Sequence, residues 1–146
     1  MTAKLEPFAA APAMMKAWMA VSNTANSSLE PLLAELVKIR ASQINQCANC
    51  INMHTLDARA LGETEQRINL IAAWREAPYY TERERAALAW TEALTLIAQG
   101  VSDDVYAEAR AQFSEQELMY LSSAIAGINV WNRFGAAYRW TPPLRG

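Results

Sequence analysis

Cys47 and Cys50 are the only cysteines of the 146-residue chain, and His54, four positions further on, is its only histidine. On a helix these positions, i, i+3 and i+7, share one stripe, because residues three and four apart lie above one another. Cα atoms three apart on a helix are roughly 5 Å distant, inside the ~4.4–6.8 Å that a disulfide spans. The pair can therefore bridge and reopen without unwinding the helix. Both thiols fall in the first turn, where unpaired amides and the helix dipole favour an anion by ~0.3–1 kcal/mol. One pKa unit is worth ~1.4 kcal/mol, so the dipole alone acidifies a thiol modestly and a larger effect needs a partner. His54, one turn beyond Cys50, can take the proton or pair with the thiolate, which singles out Cys50 as the reactive sulfur.

A histidine in this role needs a second group to orient it. Glu35 is the candidate: if the helices on either side of Asn45 and Gln46 form an antiparallel hairpin, a residue ten or so before the turn faces one ten or so after it. Set among Leu32, Leu33, Leu36 and Val37, its carboxyl is expected half-buried, with a raised pKa fit for shuttling protons. Other readings of the same residues stay open. Free cysteines are commonly inert core residues. Zinc could take Cys47, Cys50, His54 and Glu35, but structural zinc usually draws on a second Cys or His pair, and no metal is expected. Haem attachment needs His directly after Cys50, where Ile51 stands. A thioredoxin-like setting needs strands around the motif. A loop this short constrains the unfolded chain little, so structural stapling is a weak role for the pair.

The elements that must position these residues read as helices throughout. Pro12 opens a first, Ala13 to about Asn23, with an apolar face of Met14, Met15, Trp18, Met19 and Val21. Ser28 as N-cap, with Glu30 and Pro31 in the first turn, predicts a second from Leu29 to about Asn45, its core positions including Leu32, Leu33, Leu36 and Ile39. A third runs from about Cys47 to Leu61, stopped by Gly62. Thr64 starts a short fourth ending before Pro78. Thr81 with Glu84 forms a capping box for Glu82 to Gln99, closed by Gly100. Ser102, Asp103 and Asp104 open a sixth. Ser114 with Glu117 opens the last, Glu115 to about Tyr138, ended by Pro142 and Pro143. With 28 alanines and no strand-length alternation, the fold class is all-α, with six to seven helices. The last helix is apolar on most faces, as at the centre of a bundle or in a subunit interface. Trp74, Trp90, Trp131 and Trp140 read as core or interface, and Glu82 to Arg85 as a solvated first turn.

Length and composition close off other classes. A chain of 146 residues with 52% hydrophobic and 19% charged side chains is expected to fold as one domain over residues 1–146. A net charge of -2 without a basic block argues against nucleic acid as partner. Leu118 to Asn132 is uncharged for 15 residues before Arg133, short of the ~20 a membrane helix needs, so no membrane partner is expected. Met1 to Ala20 mixes Glu6, Pro7, Pro12 and Lys16 into its apolar residues, unlike a signal peptide, and the expected location is cytoplasmic.

The segment from Arg40 through Cys47, Ala48, Asn49 and Cys50 to His54 resembles the core of the carboxymuconolactone decarboxylase superfamily, in its alkylhydroperoxidase AhpD-like branch. That branch's pattern is a Glu, eleven residues, then Cys-x-x-Cys-x-x-x-His, met here by Glu35, Cys47, Cys50 and His54. The likeness extends through Asp57–Arg59, Glu84–Thr95 and Ile128–Arg133. It implies an all-helical subunit that assembles with copies of itself, as dimer, trimer or hexamer, and a peroxidase without a bound cofactor. The implied substrate is a hydroperoxide, and the implied reductant an external dithiol or protein. In those terms Cys50 attacks the peroxide, Cys47 resolves the sulfenic acid, and His54 with Glu35 relays the proton. Asn49 is a departure, because the branch's peroxidase has a second histidine between its cysteines. Without that relay partner, a disulfide oxidoreductase or redox sensor is the alternative, ahead of a carboxymuconolactone decarboxylase-type enzyme or a structural oligomer with inert cysteines.

Overall fold

The computed structural model describes residues 4–145, and each of its α-helices starts at a proline or behind a capping side chain. Eight α-helices are present among these residues: α1 (Pro7–Ala10), α2 (Pro12–Ser27), α3 (Pro31–Ile44), α4 (Ala48–Ala60), α5 (Glu65–Leu70), α6 (Glu82–Thr95), α7 (Asp103–Gln112) and α8 (Glu115–Ala137). Single 3-10 turns follow α5 and α6, at Ile71–Ala73 and Ile97–Gln99. Thr64 and Ser102 cap α5 and α7, and reciprocal capping boxes join Thr81 to Glu84 and Ser114 to Glu117. Gly62 and Gly100 sit at φ +93° and +81°, the left-handed region that ends a helix at little cost only for glycine. No strand occurs among the described residues.

Several boundaries differ from the sequence reading, among them that of α5, which gives way at Leu70 to the 3-10 turn Ile71–Ala73 well before Pro78. Helix α2 continues to Ser27, so Ser28 closes it, its hydroxyl donating to the Thr24 carbonyl, rather than opening α3. Helix α3 starts at Pro31, two residues late, because a proline at the first position needs no amide partner. Helix α6 stops at Thr95 and reaches Gly100 through the 3-10 turn. The short α1, absent from the sequence reading, is a single turn started by Pro7 and capped by Glu6.

Helix α3 is the shared wall of two apolar cores, with residues 33 to 39 buried without a break. Leu33, Ala34 and Val37 face the core formed with Ala87, Trp90, Phe113, Leu121 and Ile125. Leu36 and Ile39 face the other, with Ala58, Ile71, Trp74, Tyr80 and Leu88. Helix α8 packs on α2, α3, α4, α6 and α7, which puts it inside the bundle. A helix enclosed on both flanks must also bury its polar positions, here Glu35, Lys38 and Ser42. Each then needs a partner inside the fold.

Glu82 is solvated as the sequence suggests, but Arg83, Glu84 and Arg85 do more than meet solvent. Arg83 binds Glu30 (2.6 Å), Glu117 (3.0 Å) and the Gln112 carbonyl, tying α3, α6, α7 and α8 together. Glu84 binds Arg67 (2.7 Å), and Arg85 donates to the carbonyls of Trp74 (3.0 Å) and Ala77 (3.2 Å). The same logic holds at Glu92 on α6, which accepts from Arg40 Nε (2.9 Å), Trp74 Nε1 (2.9 Å) and Arg75. Burial alone would raise that carboxyl, but the three donors outweigh it and hold it below its ordinary value of 4.5. A depressed carboxylate stabilises the fold at pH above ~4.5, and that contribution is lost as pH falls through the folded-state value. Glu92→Gln is expected to cost roughly 1–3 kcal/mol at pH 7. The deficit should shrink below about pH 4, as read by thermal unfolding across pH 3–7.

Candidate functional site

The site is built around the turn that joins α3 to α4. Gln46 takes φ +56°, a left-handed conformation costing a non-glycine residue ~1–2 kcal/mol, and it reverses the chain so that Cys47 becomes the N-cap of α4. Side chains from α8 hold this turn closed. Asn45 Nδ2 donates to Asn129 Oδ1 (2.8 Å) and Asn132 Oδ1 (3.0 Å), and Asn132 Nδ2 donates to Ser42 Oγ (2.9 Å). Ser42 Oγ donates in turn to the Lys38 carbonyl (2.7 Å), while the Cys47 amide donates to the Ser42 carbonyl (3.0 Å). Asn132 is wholly buried and satisfied on both ends of its amide, so the network specifies one register between α3 and α8.

Cys47 and Cys50 are disulfide-bonded with Cα atoms 5.3 Å apart, the separation that helical spacing anticipates. Cys47 is the cap rather than a first-turn residue, and its Sγ accepts from the Cys50 amide at 3.4 Å. Both cysteines are almost fully enclosed, at 2% and 3% exposure. Gly135 on α8 makes room for them: a Cβ there would lie 2.7 Å from Cys47 Sγ and 3.4 Å from Cys50 Sγ.

One turn past Cys50, His54 is buried, and its Nδ1 lies 3.0 Å from Glu35 Oε2. The hairpin thus brings together the two residues that sequence spacing pairs. The other carboxylate oxygen, Oε1, accepts from Lys38 Nζ, one turn along α3. Lys38 is absent from the sequence reading, although a Glu and a Lys three apart in a Leu-rich run carry the signal of an intrahelical pair. Its presence reverses the expected titration of Glu35. Burial pushes the carboxyl up, but hydrogen bonds from His54 and Lys38 outweigh it, and the group lies below its ordinary value. Glu35 is therefore a fixed carboxylate rather than a proton carrier of raised pKa. Asp57 Oδ2 stands 3.8 Å from His54 Nδ1 on the solvent side. Glu35, His54 and Asp57 place ligand atoms within 4.8 Å of one another, but the Lys38 ammonium already occupies Glu35 and opposes a cation there.

A cavity of about 400 Å³ opens beside this cluster. Lys38, Asn49 and His54 border it, and its apolar wall comes from Phe8, Trp131, Trp140 and Ile128. Trp131 is anchored by donating from Nε1 to Ser22 Oγ (2.9 Å), and Phe8 stacks on it at 6.2 Å between centroids. Trp131 and Trp140, which the sequence assigns to core or interface, are cavity walls; Trp74 and Trp90 are core. Their roles diverge through position along the chain, since Trp140 follows the end of α8 and folds back toward Gly135. Gly135 itself had a local signal, a glycine inside a helix, which costs ~1 kcal/mol and marks a close approach.

A profile of the Carboxymuconolactone decarboxylase family matches residues 12–93. The uncharacterised protein YdfG of Bacillus subtilis is 42% identical over 139 residues, which cover 94% of this chain and 95% of YdfG. Among solved structures, ATU0492 of Agrobacterium tumefaciens superposes with a TM-score of 0.95 at 43% identity, over 99% of this chain and 100% of that one. It is described as a protein of unknown function, with the antioxidant-defence protein AhpD as a candidate identity. An uncharacterised peroxidase-related protein of Ralstonia eutropha, described as an alkylhydroperoxidase AhpD core, shares the fold at a TM-score of 0.81 and 18% identity, over 93% of this chain and 74% of that one.

Gly135→Ala is expected to press a methyl group onto the bonded sulfurs, which cannot swing aside as a free side chain would. The cost should be about 1–3 kcal/mol, and larger in the disulfide form than in the dithiol form, as read by thermal unfolding with and without reductant.

Proposed function

Because the chain belongs to the carboxymuconolactone decarboxylase family and carries a Cys-x-x-Cys pair beside a carboxylate-held histidine, we propose that it is a thiol-dependent peroxidase. The observation that carries this reading is the Glu35–His54 hydrogen bond one turn from Cys50, at the edge of an apolar cavity. With Nδ1–H donated to Glu35, the imidazole has Nε2 free to accept the Cys50 proton. The thiolate then attacks the terminal oxygen of a hydroperoxide. A sulfur–oxygen bond forms, the oxygen–oxygen bond breaks, and the alkoxide leaves with the proton from the imidazolium as an alcohol. The Cys47 thiol attacks the sulfenic sulfur, the disulfide closes and water leaves. An external dithiol reopens the disulfide by exchange and becomes a disulfide itself. Catalytic roles thus go to Cys50, Cys47 and His54, with Glu35 orienting the imidazole.

The apolar lining supports an organic hydroperoxide as substrate, and no bound cofactor enters the cycle. We place the protein in the cytoplasm and read it as a homo-oligomer, the second reading supported by the exposed apolar side chains Met14, Met19 and Val21 of α2. Among the described residues, no helix is long and apolar enough to cross a membrane. Asn49, which borders the cavity and carries no titratable proton, favours as second reading a disulfide oxidoreductase that exchanges with a partner and leaves peroxides alone.

Intact mass decides between them. One equivalent of organic hydroperoxide added to the reduced protein is expected to remove two hydrogens, a loss that dithiol reverses. Cys50→Ser should abolish peroxide consumption, and Cys47→Ser should stop at the sulfenic acid. A protein whose disulfide exchanges with thiols but never forms in response to peroxide is the second reading instead. His54→Ala should lower the rate ~10²–10⁴-fold and move the pH midpoint of Cys50 alkylation upward.

A further inference from the structure

Lys38 is a buried cation that the proposed cycle does not use. Its side chain is only 11% exposed, its Nζ donates to Glu35 Oε1, and it borders the same cavity as His54. We propose that Lys38 is a positioning residue, which supplies the positive charge that keeps Glu35 a carboxylate and so reserves His54 Nε2 for the proton of Cys50. This rests on the reading of Cys50 as the reacting thiol.

Charge and proton count decide which imidazole nitrogen carries the proton. Glu35 has two oxygens and two partners, Lys38 on Oε1 and His54 Nδ1 on Oε2. With the ammonium present, Glu35 and Lys38 cancel, and the cluster needs no further proton to be neutral. The imidazole then carries its single proton on Nδ1, facing the carboxylate, and Nε2 stays bare. Without the ammonium, a carboxylate buried at 7% exposure has no full positive charge against it. Burying such a charge unpaired is costly enough that the site takes up a proton instead. That proton ends on Glu35, which can then donate to Nδ1 and force the proton of the neutral ring onto Nε2, or on the imidazole itself. Either way Nε2 is no longer an acceptor.

The neighbouring charges do not substitute for Lys38. From α4, Asp57 is the other charged group near the imidazole; it is an anion, with a side chain 56% exposed. From α6, Glu92 is engaged by Arg40, Trp74 and Arg75. Helices α2 and α8 bring only apolar, hydroxyl, amide and indole side chains to the cavity.

The chain has a single histidine, so its imidazole nitrogens give an unambiguous 15N spectrum. The wild type is expected to show a protonated Nδ1 and a bare Nε2 near neutral pH. In Lys38→Met the bare Nε2 signal should disappear on acidification about one pH unit earlier, and Cys50 of the reduced protein should alkylate with iodoacetamide roughly tenfold more slowly at pH 6. Lys38→Gln, which keeps a donor without the charge, is expected to move both readings in the same direction and serves if methionine does not fold. Lys38→Arg should restore both. A folded neutral variant with the wild-type nitrogen spectrum and alkylation profile overturns the proposal, as does a folded arginine variant that behaves like methionine. The nitrogen spectrum is read without peroxide, so failure of the peroxidase reading, seen as no mass change in the wild type, is a separate result.

Discussion

The structure depends on one carboxylate kept inside a helix that is buried on both flanks. Glu35 sits between two apolar cores, in a run of seven consecutive buried residues, and a charge in that place is tolerated only with its partners in contact. Lys38 comes from the same helix, so that pairing forms with the turn itself. His54 comes from α4 and is available only if the chain reverses at Asn45 and Gln46. The demand of Glu35 for a second donor thus favours the same hairpin register that puts the imidazole next to Cys50. Packing and chemistry are satisfied by one contact.

Helix α8 acts on the same place from the other side. Along one of its edges it presents Asn129, Asn132 and Gly135, at i, i+3 and i+6. The two amides bind the α3–α4 turn, and the glycine leaves space for the sulfurs one turn further on. The left-handed Gln46 needs such support, since a non-glycine residue in that conformation persists only where its surroundings over-determine it. A cysteine pair on an isolated helix would have the right spacing but neither the enclosure nor the fixed cap. What α8 adds is rigidity around a pair whose bond the proposed cycle opens and closes.

Most of this was legible wherever the signal was local. The capping boxes at Thr81 and Ser114, the glycine stops, the disulfide spacing and the pairing of Glu35 with His54 follow from neighbours in sequence or from a single hairpin. The residues that escaped have meaning only across the fold. Arg83 reads as a solvated first-turn residue until Glu30 and Glu117 arrive from two other helices. Trp131 and Trp140 look like any core tryptophan until the end of α8 is seen to close over the cavity. Glu35 is the instructive case, because its burial was foreseen and its titration was not. Burial and ion pairing push a carboxyl in opposite directions: the apolar neighbours raise Glu35, and the lysine one turn away, with His54, lowers it further than they raise it.

The capping geometry divides the work between the two sulfurs in a way that helical spacing alone does not reveal. The Cys50 amide points at Cys47 Sγ, so the helix terminus stabilises an anion on Cys47 more directly than on Cys50, which has only the dipole of the first turn. In the proposed cycle His54 serves the other sulfur, by accepting its proton. These are different needs at different moments. Attack on peroxide requires a base for Cys50, and a neutral imidazole provides one without charging the site beforehand. Reopening the disulfide by attack at Cys50 requires Cys47 to leave as a thiolate, and exchange is faster the better that leaving group is stabilised. An N-cap position does this with backbone amides that need no proton and do not titrate. A helix that starts one residue after its first cysteine therefore supports both halves of the cycle, whereas one starting earlier would lose the cap on Cys47.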